Sequence, residues 1–346
     1  MLKPSIFSQT QAELNLFLRL NDVSTQLSSI IFQQIYKNKF NQELSNSLSL
    51  LLKKTFDYSV PVINKITTSE DGTIKFLMGL EDGNQVETVL IPFFKKYTVC
   101  LSSQVGCAMN CSFCYTGKMG LKRNLKSSEI VGQFLVARQY LQSQSDERVK
   151  NPNIVFMGQG EPLHNSDEVL KSIQVLMEPM GAAVGPRQIT LSTAGYLPGI
   201  KKLSHYPQIN IALSLHSPFN DIRKRLIPIN QHFPLEDIFF EFDKLDLKKK
   251  QFITYEYLLI KDLNNRSEDA LELSKWLTNR RALINIIPFN PFPGSEFQRP
   301  TEEDTLEFKE KLVALKLRTM IRTTKGSEIL AACGQLNSLI EQEFPV

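Results

Sequence analysis

Strand-like and helix-like segments alternate along the chain from Tyr97 onward. Segments with helical periodicity, such as "SSEIVGQFLVARQYL", "SDEVLKSIQVLM" and "SEDALELSKWLTN", separate several short strand-like runs. Those runs are "YTVCLSS", "NIVFMG", "QITLS", "INIALSL", "FITYEYLLI", "LINIIPF" and "RTMIRTT". Repeated units of this kind predict parallel strands joined by right-handed crossovers. The number of strands favours a barrel or partial barrel over a small open sheet, so we predict an α/β fold.

The N-terminal part of the chain has a different pattern. Between residues 1 and 60, apolar positions in "AELNLFLRL", "STQLSSIIFQQIY" and "NSLSLLLKK" recur at three- and four-residue spacing, which predicts helices. The segment "DGTIKFLMGLEDGNQVETVLIP" then predicts a β-hairpin with Asp82 and Gly83 in its turn. We therefore predict a helical accessory domain over residues 1–70 and a catalytic unit over 71–346 that begins with this hairpin.

The composition is that of a globular protein outside the membrane. Hydrophobic residues make up 42% and charged residues 22% of the chain, and no apolar run reaches the ~20 residues of a membrane helix. The N-terminus has no apolar run followed by a small-residue cleavage site. We expect a cytoplasmic protein with reduced thiols, so clustered cysteines indicate metal binding or catalysis before a disulfide. The net charge of +4 is compatible with a nucleic-acid partner without requiring one.

Three cysteines form the most informative motif. Cys107, Cys111 and Cys114 have the spacing C-x₃-C-x₂-C, and neither Cys100 nor a nearby histidine obviously completes a zinc site. Three thiolates can hold a [4Fe–4S] cluster and leave one iron open. The alternatives are a zinc site or buried structural thiols. This spacing, on a loop that follows the first strand of the predicted barrel, resembles the radical SAM superfamily, in which the open iron binds S-adenosylmethionine (SAM) and Phe113 would shield the cofactors.

Further motifs narrow this resemblance. In order along the chain they are "CLSSQVGCAMNCSFCYTG", "VFMGQGEPL", "ITLSTAGYLPGI", "ALSLHSPFNDIRKRLIPIN", "IPFNPFPGS" and "TTKGSEILAACGQL". Together they resemble the RlmN/Cfr family of radical SAM RNA methyltransferases, from Asp82 to Leu336, and the RlmN branch more closely. The helical N-terminus is a looser match to that family's accessory domain. The resemblance implies a partial (β/α) barrel of the radical SAM type, a [4Fe–4S] cluster held by the three cysteines, and two SAM molecules per turnover.

The resemblance also implies roles for three catalytic residues. Cys333 matches the cysteine that carries the methyl group, Cys100 matches the cysteine that later forms a transient disulfide with it, and Glu87 matches the proton acceptor. A thiolate can take a methyl group from SAM by displacement, whereas an adenine ring carbon cannot. Without the resemblance to this family, the sequence indicates an exposed strand carboxylate for Glu87, a core residue for Cys100 and a small buried helix residue for Cys333.

The same resemblance implies a set of SAM-contacting residues. Most of them follow the carboxyl ends of predicted strands, where parallel α/β folds place their chemistry. They are Gly160, Glu161, Ser192, Ser214, Leu215, His216 and Asn290. The other histidines carry no motif, and we expect them to be structural: His164, His205 and His232.

Two features of the motifs bear on specificity. Gln159 stands where the family commonly has Met, close to the predicted SAM site, and could alter packing or a hydrogen bond there. The family includes enzymes that methylate adenine carbon 2 and enzymes that methylate carbon 8. "SLHSPF" resembles the carbon-8 branch, whereas "NPFPGS" and "RTTKGSEI" resemble the carbon-2 branch. We therefore predict carbon 2.

The resemblance implies an RNA substrate, namely an adenosine in 23S rRNA and possibly in tRNA. We expect the N-terminal helices and the basic loops "KKY" and "GLKRNLK", which contains Lys122 and Arg123, to contact it. An electron donor such as a flavodoxin or ferredoxin and a monomeric state are also expected. The alternatives are methylation of carbon 8 or of another substrate by the same chemistry, and a non-catalytic iron–sulfur protein that binds RNA.

Overall fold

The computed structural model of the protein describes residues 3–37, 44–94, 96–144 and 152–338. The α-helices are α1 (Gln11–Leu20), α2 (Leu27–Lys37), α3 (Asn46–Thr55), α4 (Ser127–Ser143), α5 (Ser166–Met177), α6 (Leu197–Ile200), α7 (Asn220–Leu226), α8 (Leu235–Asp243), α9 (Ser267–Leu277) and α10 (Glu302–Ala314). The strands are β1 (Val62–Thr68), β2 (Ile74–Gly79), β3 (Gln85–Pro92), β4 (Tyr97–Cys100), β5 (Gln104–Gly106), β6 (Leu121–Asn124), β7 (Asn153–Phe156), β8 (Ile189–Thr193), β9 (Asn210–Ser214), β10 (Ile253–Leu259), β11 (Ala282–Pro288) and β12 (Thr319–Ile321).

A ten-stranded sheet organises the described part of the chain, in the order β1-β2-β3-β4-β7-β8-β9-β10-β11-β12. All neighbours from β4 to β12 pair in parallel, as the alternation of strands and helices predicts. The large apolar core contains side chains from these strands and from the helices that connect them. The parallel strands and their connecting helices form the predicted α/β fold, a partial (β/α) barrel.

The predicted hairpin is confirmed and forms the antiparallel end of the sheet. β2 pairs with β3 from Ile74 opposite Leu90 to Gly79 opposite Gln85, and the turn between them contains Asp82 and Gly83. β3 then pairs antiparallel with β4. This arrangement places the hairpin directly beside the first parallel strand.

The N-terminal region is helical where the structure describes it, and predicted residues 1–2 and 38–43 lie outside that description. Helix α1 begins with a capping box, in which Thr10 accepts from the backbone of Glu13 and the Glu13 carboxylate accepts from Thr10. The sequence did not predict β1, which lies within residues 1–70 yet pairs with β2. The division at residue 70 stays a prediction. None of the helices in the described ranges has the length and apolar character to cross a membrane.

Arg223 in α7 is fully buried and connects the carboxyl ends of two parallel strands. Its guanidinium donates to the carbonyls of Ala194, after β8 (2.7 Å), and of Ser214, at the end of β9 (2.9 Å). It also donates to the Leu215 carbonyl (3.1 Å) and to Oδ1 of Asn230 (2.5 Å). Burial lowers the pKa of Arg223 to about 10. One charged side chain therefore holds in place the loops that follow β8 and β9.

Replacing Arg223 by Met should destabilise the fold, because buried carbonyl acceptors lose a charged donor. We expect the free energy of unfolding to fall by about 3 kcal/mol, measured by chemical denaturation. Lys224→Met is the matched control, since Lys224 is exposed on the same helix, and it should change stability by less than about 0.5 kcal/mol. Equal effects of the two substitutions would contradict the structural role of Arg223.

Candidate active site

A large cavity opens at the edge of the sheet where the parallel strands end. It measures about 940 Å³, including the solvent in its open mouth. The structure brings many of the predicted site residues together on its wall. They are Cys107, Cys111, Phe113, Cys114, Gly160, Glu161, Ser192, Ser214 and His216. We call this the larger cavity.

The three clustered cysteines lie on a loop framed by β5 and β6, a short two-stranded sheet that the sequence did not predict. Burial raises the pKa of all three thiols, to about 12 for Cys107. A cation is needed to keep thiols in such surroundings ionised, and iron bound by the sulfur atoms supplies it.

The positions of the three thiols can be compared with the needs of a single metal ion and with those of a [4Fe–4S] cluster. In the described ranges, no three Cys, His, Asp or Glu side chains are arranged to hold a single metal ion. A [4Fe–4S] cluster attaches each thiolate to a different iron, so its ligands need not converge on one point. Three free cysteines on one cavity wall therefore fit a cluster.

Gly160 and Glu161 form the loop after β7. Gly160 has φ +98°, and a Cβ there would lie 2.6 Å from the Cβ of Gln104, so only glycine fits. The buried Glu161 carboxylate accepts from the backbone N–H groups of Ala194 (2.7 Å) and Leu163 (3.1 Å). Burial raises the pKa of Glu161 to about 7, and these hydrogen bonds partly oppose the increase. A buried carboxylate on a cavity wall is suited to bind an ammonium group.

His216 is buried and uncharged and lines the same cavity. Burial lowers the pKa of His216 to about 3. Its Nδ1 lies 3.0 Å from the carbonyl oxygen of Glu256 and 3.1 Å from the backbone nitrogen of Leu258, and these two contacts fix the orientation of the ring. The ring meets Phe113 edge-on, with centroids 4.7 Å apart. The backbone of His216 is left-handed (φ 58°), a conformation that is costly outside glycine and is common at functional sites.

Cys333 lies in a turn that packs on the cysteine loop, and not in a helix. The backbone N–H of Tyr115 donates to the carbonyl of Gly334 (2.6 Å), and Oγ1 of Thr116 donates to the carbonyl of Leu336 (2.6 Å). Gly334 has φ +83°, a conformation that glycine adopts without strain. These contacts bring Cys333 to the wall of the larger cavity, near the three clustered cysteines.

A smaller cavity of about 540 Å³, including its open part, lies behind this turn and shares Cys333 with the larger one. Cys100, at the end of β4, lines it. Burial raises the pKa of Cys100 to about 12, and the neighbouring Cys333 adds to the shift while Arg322 opposes it. The structure therefore brings the two predicted catalytic thiols together.

Arg322 is a site residue that the sequence analysis missed. It follows β12 and lines both cavities. The charge of Cys333 raises the pKa of Arg322, as do Glu256 and Cys100 to a smaller extent. Its cation therefore favours the thiolate form of Cys100 against the effect of burial. The run of strand residues in "RTMIRTT" carried no signal that would have separated this arginine from a structural one.

Glu87 is buried, contrary to the alternative of an exposed strand carboxylate. It lies in β3, and Oε1 is 3.0 Å from Nζ of the buried Lys75. Burial raises the pKa of Glu87 despite this ion pair. Its backbone N–H donates to Oε1 of the fully buried Gln159 (3.2 Å), and Nε2 of Gln159 donates to Ser338 (3.3 Å). Gln159 thus connects the hairpin with the C-terminal segment, and its predicted effect on chemistry stays untested.

Three further predicted residues lie outside the larger cavity or have other partners. Asn290 lines the smaller cavity, where its Oδ1 accepts from Arg299 (2.8 Å). Leu215 is fully buried in the core. Arg123 makes ion pairs with Asp82 and Glu129, so its charge is already paired within the protein.

Comparisons with known proteins agree with this geometry. Residues 101–274 match the model of the Radical SAM superfamily. A dual-specificity RNA methyltransferase RlmN from Syntrophobacter fumaroxidans is 43% identical, over 85% of this chain and 85% of the relative. A probable enzyme of the same name from Akkermansia muciniphila is 36% identical over 98% of this chain and 97% of the relative. The crystal structure of a radical SAM methyltransferase from Sphaerobacter thermophilus superposes with a TM-score of 0.89 at 34% identity, covering 97% of this chain and 99% of that one.

The two thiols of the smaller cavity should differ in reactivity. The pKa of Cys100 is about 12. At pH 8 the thiolate fraction of Cys100 is therefore on the order of one in ten thousand. Iodoacetamide added anaerobically to the holoenzyme should therefore modify the half-buried Cys333 and spare Cys100, as mapped by tandem mass spectrometry. Modification of Cys100 should increase as the pH rises toward its pKa, and both should react after denaturation. Equal rates at pH 8 would refute the assigned burial.

Proposed function

The chain belongs to the RlmN/Cfr family of radical SAM RNA methyltransferases, and on that premise we propose that it methylates adenosine carbon 2 through an S-methylated Cys333. As a SAM-dependent RNA methyltransferase of this superfamily it uses a [4Fe–4S] cluster and SAM. The observation that carries the proposal is that Cys333 lines both cavities, one with the clustered cysteines and one with Cys100.

The larger cavity is the proposed cofactor site. Cys107, Cys111 and Cys114 would hold the cluster, and the Glu161 carboxylate would accept from the SAM ammonium. Further SAM contacts are assigned to Gly160, Ser192, Ser214, Leu215, His216 and Asn290. A bound and reduced cluster would supply the electron for cleavage of SAM, and the S-methyl group of Cys333 would give up the hydrogen atom. Phe113 beside His216 helps to exclude water from this cavity.

Cys333 acts first as a nucleophile. Its thiolate, with the Arg322 guanidinium on the wall of the same cavities, attacks the methyl carbon of one SAM and S-adenosylhomocysteine leaves. After hydrogen abstraction, the remaining carbon radical bonds to the adenine ring carbon and joins RNA to the protein. The adduct must then lose one electron, for which the oxidised cluster would be the acceptor, and the proton of the substituted ring carbon, which Glu87 takes. A buried carboxylate with a raised pKa is a stronger base than an exposed one.

Cys100 completes the cycle. Its thiolate attacks the sulfur of Cys333, the bond between that sulfur and the methylene carbon breaks, and the carbon takes a proton to become a methyl group. A Cys100–Cys333 disulfide remains, which a cellular thiol must reduce. The position of both cysteines on one cavity wall supports this step.

The proposed substrates are an adenosine in 23S rRNA and one in tRNA. The carbon-2 assignment rests on "NPFPGS" and "RTTKGSEI" and on the names of the relatives. We assign RNA contacts to the N-terminal helices and to the exposed Lys122, in preference to the ion-paired Arg123. Lys95 of the predicted "KKY" loop lies outside the described residues. A flavodoxin or ferredoxin as electron donor, a monomer and a cytoplasmic location complete the proposal.

The first test is the product. RNA from cells that lack their own enzyme is treated anaerobically with reconstituted protein, SAM and a reductant, then digested for mass spectrometry. We expect 2-methyladenosine. Formation of 8-methyladenosine would move the protein to the other branch of the family, and the motif "SLHSPF" would then be the segment to exchange. 5′-Deoxyadenosine without a methylated nucleoside would mean that the substrate is another one.

Substitution of either catalytic cysteine should stop the reaction at a different stage. Cys100→Ala should leave RNA covalently attached to the protein, because no thiol releases it, and the adduct should survive a denaturing gel. Cys333→Ala should form neither adduct nor product while keeping its iron content and visible absorbance. Residual product from Cys333→Ala at more than about 1% of the wild-type rate, a loss of under roughly 3 kcal/mol, would rule out Cys333 as the carrier. A non-catalytic RNA-binding protein would show no methyl transfer to lose.

A further inference from the structure

Two adjacent phenylalanines project from the turn between β3 and β4. Phe94 is 91% exposed and Phe93 is 51% exposed. The turn is closed by two backbone hydrogen bonds, from Phe93 N–H to the Lys96 carbonyl (2.8 Å) and from Lys96 N–H to the Phe93 carbonyl (3.3 Å). Single exposed apolar residues are common, but two consecutive exposed phenylalanines on a hydrogen-bonded turn leave two large apolar side chains in water.

This turn borders the smaller cavity. Phe93 lines that cavity together with Cys100, Cys333 and Asn290. Phe94 is the next residue along the chain and is almost fully exposed, so the two phenylalanines lie beside this cavity. The paired aromatic residues are therefore next to the two thiols to which we assign the chemistry.

The rim of the same cavity carries positive charge. Lys96 follows the phenylalanines and is exposed. Lys325 lines the cavity, and its Nζ lies 3.9 Å from the nearest Asp71 oxygen, a loose ion pair that leaves it able to contact a phosphate. Aromatic side chains beside basic ones are the combination that binds unpaired nucleotides, through stacking and phosphate contacts.

We propose that Phe94, together with Phe93, is a stacking platform for an unpaired RNA base next to the nucleotide that enters the site. This inference rests on the proposed function for the location of the reacting nucleotide. The molecule that binds this platform is RNA, because the enzyme methylates RNA and because the rim of the cavity is basic. A second copy of the chain is a poorer occupant, since two side chains provide far less than the ~800 Å² per partner of a stable interface.

The test compares Phe94→Ala, Phe94→Tyr and the matched control Phe240→Ala. Phe240 is also exposed, at 63%, and has Lys244 4.0 Å from its ring centre, but it lies on α8 and lines neither cavity. The probe is a fluorescent hairpin from 23S rRNA, titrated with full-length holoenzyme at constant salt. We expect Kd to rise about tenfold for Phe94→Ala and to stay near wild type for Phe94→Tyr and Phe240→Ala.

An abasic scan of the hairpin identifies the stacked base. One abasic position beside the target should weaken wild-type binding about tenfold and should weaken Phe94→Ala binding no further, since both changes remove the same contact. Additive losses at every position would overturn the platform. So would an unchanged Kd for Phe94→Ala, or a change confined to the oligomeric state in sedimentation, which would assign the turn to contact between copies.

The readouts also separate this proposal from the proposed function. Methylation of Cys333 by SAM without RNA, followed as protein mass, should be unaffected by Phe94→Ala. If the hairpin is methylated normally and Phe94→Ala binds it as wild type does, the platform alone fails. If Phe94→Ala weakens binding but wild-type enzyme makes no methyladenosine, the platform stands and the proposed reaction fails.

Discussion

The site depends on the attachment of the Cys333 turn to the cysteine loop. The backbone hydrogen bond from Tyr115 to Gly334 and the bond from Thr116 to Leu336 join segments more than two hundred residues apart. Without them Cys333 would have no defined position between the two cavities. Both partners on the loop side directly follow Cys114, so the same short segment positions a predicted cluster ligand and the predicted methyl carrier.

The electrostatics of the site follow from burial. Three thiols, two carboxylates and a histidine lie in surroundings that disfavour their charged forms. Arg322 and Lys75 provide compensating positive charge, the first beside Cys333 and Cys100 and the second beside Glu87. Burial therefore favours the neutral form of each group that lacks a partner, and the three thiols and Glu161 would gain their counter-charge from the bound cluster and the SAM ammonium.

The sequence predicted features that local pattern determines. The alternation after Tyr97 and the Asp82–Gly83 turn were enough to place the parallel strands and the hairpin. It did not predict β5 and β6, which are too short to have a period, nor the burial of Glu87, which depends on packing from other segments. Arg322 was missed for the same reason: an arginine after a strand acquires its role only when the Cys333 turn packs beside it. Contacts between distant segments are absent from local periodicity.

The location of Cys100 has a consequence for the order of events in the cell. Cys100 is 6% exposed and lines only the smaller of the two cavities described above. If the proposed Cys100–Cys333 disulfide forms, a small-molecule thiol that attacks the Cys100 sulfur would enter through that cavity, whose wall includes Phe93, and RNA would occupy the same entrance. Departure of the modified RNA would then precede arrival of the thiol, and free substrate would compete with the thiol for one passage.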